Sequence, residues 1–177
     1  MKITGYQIRA ALRGFELDRK VAARQFKDSL HFFEGEQKGN PDELMGRFCD
    51  SETRVARLQV LQARYNLAVN VKVMDETMTL HEAVKAVSGA NRTEKMWRDC
   101  AHKKQARRGY GTDANLQRKD DDVFAQRAVT IDEAAVRAKV AGRYAAALKE
   151  AIQVGNATSI DLDAPANLFE DKTIRAS

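Results

Sequence analysis

A chain of 177 residues with 44% hydrophobic and 31% charged residues has the length of one domain and enough apolar content to build a core, which argues against wholesale disorder. Two prolines and two cysteines favour helices and exclude a disulfide framework of the kind that staples small secreted domains. The net charge of +5 is modest, and its surplus is split between residues 1–40 and 79–126, so a dense nucleic-acid footprint is not expected.

No run of 18 apolar residues occurs, so no membrane span is expected. The start M-K-I-T-G-Y-Q-I-R lacks the apolar core of a signal peptide. The expected location is therefore the cytoplasm, or a virion for a phage-encoded chain.

Ile8, Leu12, Phe15, Ala22, Phe26 and Phe33 follow a seven-residue repeat interrupted by Arg19. They predict a first helix from about Thr4 to Phe33, weakened locally by Gly5 and Gly14. The string E-G-E-Q-K-G-N-P, residues 34–41, ends it. Asn40-Pro41-Asp42-Glu43 is a helix start, with Asn as N-cap, Pro in the first turn and Glu at the capping-box position. The second helix carries Leu44, Phe48, Val55, Leu58, Gln62, Tyr65 and Val69 on one face. At about 28 residues, or ~42 Å, it matches the first, and the short polar loop predicts antiparallel packing.

Asn70-Val-Lys-Val-Met74 alternates and reads as a short strand, with residues 75–78 reversing the chain. Thr79 and Glu82 have capping-box spacing for a third helix from Leu80, bearing Val84, Val87, Met96 and Trp97. Gly89 and Asn91 mark a potential kink in it. Residues 103–122 read as a mobile basic loop closed by Asp120-Asp121-Asp122, and residues 123–129 as a short strand. Thr130 and Glu133 open a last helix running to about Val154. Its small face is Ala134, Ala138, Ala141, Gly142 and Ala145, with Ile131, Val140, Leu148 and Ile152 around it. Ser159 to Asp163 alternates weakly, and the tail beyond Pro165 reads as an arm anchored by Leu168 and Phe169.

Three stretches together resemble the septicolysin-like family, small helical proteins of bacteria and phages. They are L-Q-V-L-Q-A-R-Y-N-L-A-V-N with Asn66 and Asn70, then M-T-L-H-E-A-V, then L-K-E-A-I-Q-V-G-N-A-T-S-I with Leu148, Ile152, Gln153 and Asn156. The resemblance covers residues 50–162. Ala157 stands where a tryptophan is usual, and the basic loop is longer than the family's. The resemblance implies long antiparallel helices and oligomerisation, and brings no reaction with it.

The chemistry-bearing residues are sparse. Cys100 and His102 offer two metal ligands, with His31 and His81 elsewhere, and a zinc site needs three or four. Gly109-Tyr110-Gly111-Thr112 lacks the following lysine and hydroxyl residue of a phosphate loop. Three consecutive aspartates lack EF-hand spacing and read as a solvated patch. Neither cysteine sits in the context of a nucleophile. Gln59, Gln62, Asn66, Asn70 and Gln153 are amides in or near the helix seams, where a polar group sets register or simply faces water.

The expectation is an all-α fold in which antiparallel hairpins form a four-helix, coiled-coil-like bundle, with a minor β element. Residues 1–163 would form one domain and 164–177 an arm. The expected function is structural: no enzyme, no cofactor, and self-association as a homo-oligomer or with other subunits of an assembly such as a phage particle. Leu17, Val21, Phe26, Leu61 and Leu67 are the expected interaction residues. Nucleic-acid binding is the alternative, through Lys103, Lys104, Arg107, Arg108 and Tyr110, which could equally contact an acidic partner. A phage-encoded inhibitor of a host protein is a third reading.

Overall fold

The computed structural model describes residues 1–31, 33–36, 39–102, 128–165 and 168–169. Helices make up most of them: α1 Gly5–Ser29, α2 Pro41–Ala68, α3 Leu80–His102 and α4 Ile131–Ala157. Four short strands, β1 Lys2–Thr4, β2 Asn70–Val73, β3 Glu76–Thr79 and β4 Ser159–Asp161, complete the order. They form two antiparallel ladders, β1 with β4 and β2 with β3. The chain divides into two compact units, Met1–Ala83 with Glu150–Ser177, and Val84–Lys149.

Helix starts follow side-chain chemistry. Orphan N–H groups of a first turn need acceptors. Thr4 and Gln7 form a reciprocal capping box on α1. Asn40 Oδ1 accepts from the Asp42 N–H at 3.0 Å on α2. Thr79 N–H donates to Glu82 at 2.7 Å, and Thr130 N–H to Glu133 at 3.0 Å. These backbone donors hold both glutamate carboxyls below their ordinary range.

In the first unit α1 and α2 pack along the expected heptad face. Ile8, Leu12, Phe15 and Ala22 of α1 are buried, as are Leu44, Val55, Leu58 and Tyr65 of α2. Arg19, the charged interruption, reaches Glu52 across the seam at 3.1 Å. Both partners are partly exposed, so the pair contributes at most about 1 kcal/mol.

Two expectations are corrected here. Helix α1 stops at Ser29, whose hydroxyl donates back to the Phe26 carbonyl at 2.7 Å, so Phe33 lies beyond the seam and is 79% exposed. Residues 75–78 do not merely reverse the chain. The turn is confined to Met74 and Asp75, with Met74 in the left-handed region at φ 55°, and Glu76–Thr79 is a return strand. The β2–β3 ladder continues into α3 through the Leu80 N–H, which donates to Val69 O at 2.7 Å.

The second unit pairs the remainder of α3 with that of α4. Arg137 stacks over Trp97 at 4.8 Å, and a Cβ on Gly142 would lie 3.5 Å from Glu94. Those matches run in opposite chain directions, so the two helices are antiparallel. No helix among the described residues is long and apolar enough to cross a membrane. The expected strand over residues 123–129 falls almost entirely outside the described residues.

Candidate functional site

Two features of the first unit stand out as candidates. The first is a buried polar node that joins two helix ends. Tyr65 is fully buried. Its hydroxyl is directed at the Gly155 and Thr158 carbonyls, each at 2.6 Å. Its ring lies against Gly5, the first residue of α1. One phenol therefore holds carbonyls at the end of α4 beside the start of α1. Burial pushes the Tyr65 hydroxyl above its ordinary value, with the nearby Gly5 N–H and the Arg9 charge opposing.

Asn156 completes the node, with 1% exposure, and its amide donates to Ile152 O at 2.6 Å. Two glycines permit the close packing. A Cβ on Gly5 would lie 2.5 Å from Asn156 Oδ1 and 2.8 Å from the Tyr65 ring. A Cβ on Gly155 would lie 2.7 Å from Val71 and 2.9 Å from Leu80. Next to the node the β1–β4 ladder and the Met1 amine, which donates to Leu162 O at 2.8 Å, fasten the first residues to the segment that follows α4. The Tyr65 hydroxyl is committed to backbone groups, so the node is structural. Sequence reasoning placed Tyr65 in the seam and noted Asn156, and it read Gly5 only as a weak point of the helix. Asn66 Oδ1 is shut off from solvent without a hydrogen-bond partner among the described residues.

The second feature is the outer face of α1. Leu17 is 61% and Val21 40% exposed. Gly14 and Ala10 lie one and two turns before Leu17 and are also exposed. Beside them is an open cavity of about 460 Å³, to which Ala10, Ala11, Gly14, Asp18 and Phe169 contribute walls.

The other expected interaction residues divide. Leu67 is 59% exposed, and Phe26 is half-buried. Leu61 is not on an outer stripe: it is 4% exposed. The reason is the chain's own tail. Ala164, Pro165 and the buried Leu168 share with Leu61 a cleft of about 320 Å³ on α2. Gln62, placed in the seam by spacing, is only half-buried. Leu61→Ala is accordingly expected to cost about 2–3 kcal/mol of monomer stability, the lower part of the range for buried leucines because the cleft already lies open beside it. Urea unfolding of dilute protein measures this, and an unchanged midpoint would show that the tail does not cover Leu61.

Lys103, Lys104, Arg107, Arg108 and Tyr110 lie outside the described residues. Cys49 is exposed and Cys100 half-buried. Among the described residues no three His, Cys, Asp or Glu side chains gather as a metal-binding group. No family model, curated protein or solved structure matches the chain.

Proposed function

We propose that this chain is a non-enzymatic structural subunit that self-associates through helix faces and serves as a component of a larger assembly. Its long antiparallel hairpins would then complete a four-helix, coiled-coil-like bundle. The origin of that assembly in a phage particle follows the septicolysin-like resemblance of residues 50–162. The observation that carries the reading is the second apolar stripe of α1. Its buried stripe is used up against α2, and Leu17 and Val21 stand in solvent on the other side. Isolated exposed apolar residues are ordinary on a soluble protein, but an ordered row on one helix face marks an interaction surface. Leu67 on α2 and Val136 and Val140 on α4, each well exposed, offer further contacts to other subunits.

Nucleic-acid binding through Lys103, Lys104, Arg107, Arg108 and Tyr110 is the competing reading and rests on the sequence. Light scattering of the purified chain, alone and with duplex DNA at low salt, separates the two. The expected result is a mass that is a multiple of the chain mass and does not change on adding DNA. A monomer that gains mass only with DNA, and loses it steeply as salt rises, would replace assembly with nucleic-acid binding.

A further inference from the structure

The outer face of α1 has a polarity that identifies its occupant. Ala10, Gly14, Leu17 and Val21 are spaced four, three and four residues apart, the alternation of a coiled-coil seam. At 100° per residue this row lies opposite Ile8, Leu12 and Phe15, which are buried against α2. The row therefore remains available after the intramolecular hairpin has formed. In heptad terms Gly14 and Val21 are a positions, and Ala10 and Leu17 are d positions. Within parallel coiled coils a β-branched residue at a with leucine at d, as at Val21 and Leu17, favours two strands.

The flanking residues decide between orientations. Arg13 is on one flank and Asp18, five residues later, on the other. Neither forms an ion pair with the described residues. In a parallel pair each g residue lies opposite the e residue five positions on in its neighbour, so Arg13 of one copy meets Asp18 of the next, twice by symmetry. In an antiparallel pair the Arg13 flank would meet itself, bringing Arg13 towards Lys20 of the other copy with like charges.

We propose that α1 is the contact between two copies of this chain, paired in parallel about a two-fold axis, with Ala10, Gly14, Leu17 and Val21 as the seam and reciprocal Arg13–Asp18 ion pairs fixing the direction. This rests on the self-association proposed above and names its surface. The seam is short, about 16 Å from Ala10 to Val21, so the pairing is reversible and sensitive to single charges.

The test uses the full chain with Cys49→Ser and Cys100→Ser, by sedimentation equilibrium and by copper–phenanthroline oxidation of single-cysteine variants. Ala10→Cys and Val21→Cys should each link to the same position of a second copy, because a parallel seam keeps like residues level at both ends. An antiparallel seam can bring only one of the two positions onto itself. Asp18→Arg should raise the dimer dissociation constant about tenfold, as two weak pairs become two repulsions. Arg13→Asp combined with Asp18→Arg should return it to the parent value. Circular dichroism shows whether each variant remains folded. If the parent associates but one or neither cysteine variant cross-links, or the double reversal fails to restore binding, the α1 contact is wrong and the assembly reading stands on another surface. A parent that is monomeric at every concentration removes both.

Discussion

Tyr65→Phe is expected to lower the free energy of unfolding by about 2 kcal/mol. Phenylalanine fills the same space, so no cavity beyond the lost oxygen opens. What changes is hydrogen bonding. The Gly155 and Thr158 carbonyls lose a donor. A buried group left without a partner costs about 1–3 kcal/mol. The Gly155 carbonyl keeps a second contact, the Thr158 N–H at 3.3 Å, so the two penalties do not add in full. The same hydroxyl gives the fold a pH dependence with a definite sign. Its folded value lies above the ordinary 10.0 because burial disfavours the phenolate. Above pH ~10 the unfolded chain releases this proton while the folded chain keeps it, so stability falls as pH rises from there towards the folded value. Below pH ~10 the contribution is fully present. Urea titrations of parent and variant should therefore show their difference narrowing above pH 10. A difference that is absent at neutral pH would mean that the hydroxyl is not what joins the two helix ends.

The parts of this fold that were legible in the sequence are those set by local rules. Capping pairs lie three residues apart, so Thr79 with Glu82 and Thr130 with Glu133 could be read directly, and the structure contains both. The heptad of α1 identified Ile8, Leu12, Phe15 and Ala22 as core. The pattern overran at Phe33, because periodicity does not register a helix that ends at Ser29. Strands of three residues leave at most the weak alternation read from Ser159 to Asp163, and β1 pairs with that distant segment. That ladder was therefore invisible, as was the covering of Leu61 by residues near Leu168. The polar node depends on the same long-range return. Gly5 looked like a helix weakness because its reason for being small lies at Tyr65 and Asn156. The outer stripe of α1 could be seen in part, since Leu17 and Val21 fall off the seam. Its separation from the intramolecular contacts required the burial of each residue.

Gly5→Ala is expected to destabilise the fold by about 3 kcal/mol, the upper end of the range for overpacking. In most helices an alanine for a glycine stabilises by about 0.5–1 kcal/mol, because it restricts the unfolded chain. Gly46 in α2 shows that case: a Cβ there meets nothing within 4 Å, and Gly46→Ala should raise stability by that amount. At Gly5 the added methyl meets three obstacles that cannot readily give way. The Tyr65 ring is fully buried with its hydroxyl tied to backbone groups. The Asn156 amide is held by Ile152 O at 2.6 Å. The Asn156 Cα, at 3.2 Å, belongs to the backbone of α4. Relief requires α1 to draw back from α4, which loosens the packing around Tyr65 and strains the β1–β4 ladder one residue earlier. The two alanine variants should thus move the urea midpoint in opposite directions, although the substitution is the same and both sites are helical. A Gly5→Ala variant at least as stable as the parent would show that the ends of α1 and α4 do not approach as closely as the Tyr65 node requires.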